Sequence, residues 1–341
     1  MKSSAAGVRS VTAGVKRRWT GVGKRWDRGA WALGCLGVGV ASRVAYLRTT
    51  LRRPLRSIQR ALSNRHGLRV RVGAVADLLR RVAQQGASTV TQIRDTARRR
   101  AVVHADETGW REQGQNGYAW LLATPEGERY VAYHHRRAGA VANDLLGEEF
   151  RGVLVSDFYG GYNDTPGGHH QRCWGHLLRD ARSLRDAHGD DLRFQGRETR
   201  AWAAARWRLG KRVRRVAQRA TATPTQRQTQ YQRLLGERQD RGCQFSSTQE
   251  HPCKALAWRL RRFGEELVTC VAQSGVPPDN NFAERAIRPL VVTRKSSGGT
   301  RSPAGSTTHT RLYSLAATWS AQGPTPLPQF RQMLQSPLPQ L

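Results

Sequence analysis

The segment 152–157, GVLVSD, is apolar on consecutive positions and then stops at an acid. A strand with one wet face alternates, so an unbroken apolar run asks for cover on both faces. That places it centrally in a sheet flanked by helices. A second run, 101–105 (AVVHA), meets the acid Asp106 in the same way. Strand alternation puts Val102, His104 and Asp106 on one face and Val103 with Ala105 on the other. The strand is expected to end in a polar turn at Glu107, Thr108 and Gly109, with Glu107 turned to the opposite face. Two strands of one sheet that each end in an aspartate bring carboxylates together on rigid supports. Left unpaired in an apolar sheet either carboxylate would be costly, and a divalent cation removes that penalty.

Around these runs the pattern reads as a mixed α/β domain. YAWLLAT (118–124) and RYVAYHH (129–135), joined by PEGE, form a hairpin signal. A helical stretch spans 140–146, and RCWGHLLRDARSL (172–184) starts as a strand and continues as a helix. Residues 185–278 carry no strand signal. Trp202, Leu209, Val213 and Val216 share one helical face, and 254–272 reads as a single second helix. The expectation is an all-helical insertion, with Trp202 and Trp207 packing its core rather than stacking on bases.

Ahead of the sheet, 43–100 has helical spacing broken at Pro54. A turn at His66, Gly67 and Leu68 precedes a second apolar stripe, Val75, Leu78, Leu79 and Val82. With Arg69, Arg71, Arg80 and Arg81 around it, this fits a helix-turn-helix that reads DNA or a plain helical hairpin, and the pattern leaves both open. Residues 1–42 form a basic arm with no assigned fold, and 335–341 a tail.

A third acid is expected at Glu284 in DNNFAERAIRP, on a helix capped by Asp279 or Asn280 and ending at Pro289. Mg²⁺ takes oxygen ligands and keeps positions open for phosphate and water. Two such ions about 3.5–4 Å apart hold both the attacking and the leaving oxygen of a phosphoryl displacement. Arg285, Arg288, Arg294 and Lys295, next to the Gly298–Gly299 loop, would then hold a DNA backbone. His104, Asn280 and Asn281 are expected to support the acids, with capping the other reading for the asparagines. Tyr159 and Tyr162 fit DNA contact and turn packing equally. Cys173 and His176 form C-x-x-H, but no second pair stands at zinc spacing, so packing at a helix start is the preferred reading.

The charge balance agrees with a polyanionic partner. Lys and Arg number 57 against 25 Asp and Glu, for a net charge of +32. Such a surplus favours nucleic acid, although an arginine-inflating base composition would give the same count: only six of the cations are lysine. Five cysteines without C-x-x-C fit a reducing cytoplasm. The longest uncharged apolar stretch, 30–41, is too short for a bilayer.

HADETGW, DFYGGYN, QRCWGHLLRDAR and DNNFAERAIRPLVVTRKSSGGTRSPAG, in this order between about residues 40 and 334, resemble the bacterial DDE transposases of the insertion sequence 66 family. The resemblance implies a ribonuclease-H-like catalytic domain over 101–334, with the helical insertion at about 185–278. It carries an aspartate on the first strand, another on the fourth and a glutamate on a later helix, here Asp106, Asp157 and Glu284. It further implies two Mg²⁺ ions (Mn²⁺ as substitute), cleavage at element ends and 3′-OH strand transfer into target DNA. The implied partners are double-stranded DNA, both the terminal inverted repeats and the target, a homo-oligomer on that DNA, and accessory proteins of the same element. A cytoplasmic, nucleoid-associated place follows, with no membrane. Family members often carry a cysteine-rich segment ahead of the helix-turn-helix, whereas residues 1–42 hold Cys35 alone. That start is therefore expected to be atypical. The alternatives are a catalytically inactive or truncated remnant that only binds DNA, or a nuclease of the same fold.

Overall fold

The computed structural model describes residues 36–165, 168–219, 221–323 and 325–336, without the side chains of 238–242. Cys35, most of the expected basic arm and all of the tail after Ser336 lie outside these residues.

Five strands form one mixed sheet in the order β3-β2-β1-β4-β5. They are β1 (Val102–Glu112), β2 (Gln115–Ala123), β3 (Arg129–His134), β4 (Val153–Ser156) and β5 (His169–Arg172). β1 pairs antiparallel with β2, and β2 with β3, while β4 runs parallel to both β1 and β5. The four residues of β4 are all buried, as their unbroken apolar run requires. β1 corrects the expected turn at 107–109. Glu107 pairs with Trp120, Thr108 with Ala119 and Trp110 with Gly117, so the strand runs on to a bend at Gln113 and Gly114, both at positive φ. The polar residues there mark the end of the parallel pairing with β4, not the end of the strand.

Thirteen helices are described, α1 (Val38–Thr49), α2 (Leu55–His66), α3 (Val72–Gln85), α4 (Ala87–Arg98), α5 (Gly139–Leu146), α6 (Trp174–Ala187), α7 (Phe194–Ala217), α8 (Pro224–Gly242), α9 (Lys254–Arg262), α10 (Thr269–Ala272), α11 (Asn281–Ser297), α12 (Pro303–Gln322) and α13 (Leu327–Gln335). None of the described helices is long and apolar enough to cross a membrane. One sheet face, with Val103, Ala105, Trp120, Leu122 and Leu154, packs against α5 and the turn that holds Tyr162. On the other face Trp110, Ala119, Leu121 and Val131 meet Ala283, Ile287 and Leu290 of α11 and Tyr313 of α12. Val102, Val153 and Val155 of that face join a core built by α6 to α10.

The helices of 36–98 do not stand apart from the rest. Val44, Ile58, Leu79, Val90 and Ile93 share a core with Leu312, Leu315, Phe330 and Leu334 of α12 and α13. That packing also starts the first helix at Val38 rather than Arg43, because Ala41, Val44 and Ala45 are fully buried in it. Pro54 ends the break after α1, and Gly67 closes α2 at φ +64, a left-handed conformation that suits glycine.

The described residues of the insertion hold helices and connecting turns but no strand, and the expected single helix 254–272 is two. The carbonyls of Glu266 and Leu267 turn away to accept from the Arg172 amide and the Trp174 indole, which interrupts the helical ladder between α9 and α10. Trp202 is buried against Phe245, in line with core packing. α11 also differs from expectation, since it passes through Pro289 to Ser297. Proline removes one helical hydrogen bond, yet Ala283, Ile287, Leu290 and Thr293 remain buried on both sides of it. Continued burial on the sheet outweighs that loss.

Candidate functional site

Asp106 and Asp157 leave the parallel ladder at the same end. His104 is paired with Val155, and each aspartate lies two residues further along its own chain. In sheets of this kind the carboxyl ends of parallel strands are where ligands bind. The Asp157 carboxylate accepts from the amide of Tyr159 (2.8 Å), which fixes it in the turn after β4. Asp106 accepts from the amide of Glu107 (2.9 Å). Glu284 occupies the first turn of α11. That turn is fastened to β1 by Asn280, which is 1% exposed. Its side chain donates to the carbonyl of Ala105 (2.8 Å) and lies 2.9 Å from His104 Nδ1, and its backbone N–H donates to Cys173 Sγ (3.2 Å). One asparagine thus fixes the glutamate's helix to the residue beside Asp106.

Electrostatics joins the three acids. The Asp106 carboxyl is pushed up to about 7, by burial first, then by the charges of Glu107 and Asp157, and more weakly by Glu284; its bond from the Glu107 amide opposes this. A carboxyl raised in this way by burial and by neighbouring acids lacks compensating charge, and its hard oxygens fit Mg²⁺ or Mn²⁺. The oxygens of the three acids are not at single-ion spacing. Among the described residues, three ligand atoms lie within 4.8 Å of one another in a different group, Cys173, His176 and Glu284. A pair of ions about 3.5–4 Å apart needs a wider ligand set than one ion does.

Glu107 faces away from Asp106, as expected, but it is bonded rather than idle. Its carboxylate takes Arg137 Nε (2.8 Å) and the hydroxyl of Tyr162 (2.5 Å). Tyr162 is buried, and Tyr159 donates to the carbonyl of Arg137 while its ring lies under that guanidinium. Turn packing therefore accounts for both tyrosines. His104 is buried with its pKa lowered to about 4 by burial, so it is a neutral partner of Asn280. Asn280 is the helix cap position, and Asn281 donates its amide to Asp279.

Arg172 is the residue that sequence reasoning missed. It is 0% exposed. Its guanidinium donates to the main-chain carbonyl of Asp157 (3.0 Å), to Asn163 (2.9 Å) and to the Glu266 carboxylate (2.6 Å), and stacks over Phe263. It ties the backbone of the second aspartate to the helical insertion. Nothing in the sequence separates this arginine from the many others, apart from its place at the end of a strand.

The expected phosphate-contacting cations divide. Arg285, Arg288 and Lys295 are exposed on α11, and Arg69 and Arg71 are exposed between α2 and α3. Arg294 instead donates to Thr108 Oγ1 (3.1 Å) and the carbonyl of Gly109 (2.6 Å), which fastens α11 to β1. The glycine loop serves the same junction. Thr300 pairs with Arg111 and Gln113, and a Cβ at Gly299 (φ +100) would stand 2.1 Å from the carbonyl oxygen of Arg111. A cavity of about 630 Å³ lined by Arg98, Arg99, Arg100 and Arg151 opens at the opposite end of β1 and β4, away from the acids.

Comparison with known proteins gives two findings. The family model described as Transposase IS66 family matches residues 34–308. The chain is also 26% identical over 245 residues to the uncharacterized protein y4qI of Sinorhizobium fredii (strain NBRC 101917 / NGR234), a match covering 65% of this chain and 44% of that protein. The chain thus spans less than half the length of this curated relative.

Proposed function

The chain belongs to the transposase IS66 family, and from that premise we propose that it cuts and joins DNA strands with Asp106, Asp157 and Glu284 as catalytic acids. The observation that carries this reading is the junction at the end of the parallel ladder. Two aspartates leave neighbouring strands at one end, and Asn280 ties the helix of Glu284 to the residue next to the first of them. An aspartate on the first strand, another after the adjacent parallel fourth strand and a glutamate on a later helix are what a ribonuclease-H-like catalytic domain requires. The strand order supports that domain over 101–334, with 185–278 as its insertion.

The three carboxylates would hold two Mg²⁺ or Mn²⁺ ions, which when bound neutralise phosphate charge and activate an oxygen nucleophile. The chain's own part is positional. Asn280 and Arg294 hold α11 against β1, while Arg172 holds the backbone at Asp157, so the acids need little reorganisation as charge moves. Arg285, Arg288 and Lys295 line the exposed side of α11 for phosphate contact. Arg69 and Arg71, where α2 passes into α3, would read element ends as a helix-turn-helix. Substrates are the terminal repeats and target DNA, and joining two ends calls for an oligomer on DNA.

The test is joining of a pre-cut element end, taken from the DNA flanking the gene, to plasmid DNA with Mg²⁺ or Mn²⁺. Wild type should join, and Asp106→Asn, Asp157→Asn and Glu284→Gln should each abolish joining while retaining DNA binding. Cleavage without joining would make the protein a nuclease, and binding with neither activity a DNA-binding remnant.

A further inference from the structure

We propose that Cys173, His176 and Glu284 form a site for a single borderline-soft divalent ion of the Zn²⁺ class, separate in chemistry from the magnesium pair but sharing one ligand with it. One ligand atom from each of the three residues lies within 4.8 Å of the other two. His176 Nε2 stands 3.8 Å from Glu284 Oε1, too far for a hydrogen bond. Neighbouring ligands of one tetrahedral zinc ion are on the order of 3.5 Å apart, given bonds of about 2.0–2.3 Å. Small rotations of two half-exposed side chains, His176 (31%) and Glu284 (37%), would close the set around an ion. Their exposure leaves the fourth position open to water.

The surroundings suit a metal-bound thiolate. Cys173 occupies the cap position of α6, and the backbone N–H of Asn280 donates to its sulfur (3.2 Å). Such a bond stabilises the anionic form that a metal ligand needs. Metal binding displaces the thiol proton. Nδ1 of His176 is buried with no hydrogen-bond partner among the described residues, so no neighbour commits the ring to a competing bond. A Cys, His, Glu donor set selects Zn²⁺ or Co²⁺ over Mg²⁺, which takes oxygen ligands.

The site stands on these three residues alone. Only its consequence rests on the proposed catalytic role of Glu284: an ion held here withdraws that carboxylate from the magnesium pair, so micromolar Zn²⁺ would inhibit a Mg²⁺-dependent reaction.

The test is titration of the full chain with Co²⁺, reading the thiolate-to-cobalt charge-transfer band and the ligand-field absorption of a four-coordinate ion, followed by displacement with Zn²⁺. One equivalent should give both signals, and a large excess of Mg²⁺ should not remove them. Cys173→Ser, which keeps an oxygen acceptor at the helix cap, should abolish the charge-transfer band. His176→Asn and Glu284→Gln should each weaken Zn²⁺ binding at least tenfold. Cys243→Ser, at a cysteine elsewhere in the chain that is in no disulfide, should change nothing. A band that survives Cys173→Ser, or equal Zn²⁺ affinity in wild type and both of the other variants, overturns the site. Should Cys173→Ser fail to fold by circular dichroism, the His176 and Glu284 variants decide. Because the cobalt signal needs no catalysis, its appearance in a protein that joins no DNA would keep this site while removing the catalytic reading. Its absence from an active protein would do the reverse.

Discussion

With a pKa pushed up to about 7 by burial and by neighbouring acids, Asp106 keeps a proton in the folded, metal-free chain over a pH range where the unfolded chain has released it. The native state then binds more protons than the unfolded state, so stability falls as pH rises from about 4 to about 7, by up to about 1.4 kcal/mol per unit from this group. Urea unfolding in chelator at pH 5 and pH 7 should show that slope, and Asp106→Asn should flatten it. Mn²⁺ should stabilise wild type more at pH 7 than at pH 5. An unchanged slope in the variant would mean that the carboxyl is not strained by its neighbours. Arg172→Gln tests the other buried charge. It removes a partner of Glu266, which is itself partly exposed, and leaves the Asp157 carbonyl without its donor, a loss of about 1–3 kcal/mol on the scale of unsatisfied buried groups, measurable by the same unfolding. Asp106 was legible because an acid interrupts an apolar run. Arg172 was not, because an arginine in a chain of net charge +32 looks the same in the sequence whether it is buried or exposed.

At the scale of elements, the junction of α11 with β1 decides the geometry. Gly299→Ala would place a methyl against the Arg111 carbonyl at a backbone conformation that disfavours side chains, and should cost about 2 kcal/mol or more in thermal unfolding. α12 adds a pH signature of the opposite sign. Burial lowers the pKa of His309, stacked on Trp110, to about 3. The unfolded chain protonates this group first on acidification, so its contribution is full above about 6.5 and is lost as pH falls toward 3. His309→Gln should reduce the acid sensitivity of unfolding between pH 6 and 4. The sequence showed the apolar runs of β1 and β4, because burial on both faces leaves a local mark. It hid the far half of β1 and the passage of α11 through Pro289, because those depend on cross-strand partners and on a sheet surface distant in the chain.

The first and last described helices pack into one core. The core that α1 to α4 share with α12 and α13 has no local signature, so composition suggested a helical region 43–100 beside a domain 101–334. A fragment of 101–334 should expose the apolar faces of α12 and α13 and aggregate or melt well below the full chain in calorimetry. A fragment as stable as the full chain would show that this core is dispensable. The catalytic reading requires above all that acids 106, 157 and 284 hold divalent ions together. Electron paramagnetic resonance of Mn²⁺ titrated into the full chain with a DNA end tests it most directly. The expected result is two ions bound close enough for spin coupling in wild type, with the coupled signal lost in Asp106→Asn, Asp157→Asn and Glu284→Gln alike. Equal Mn²⁺ binding in wild type and all three variants would contradict it.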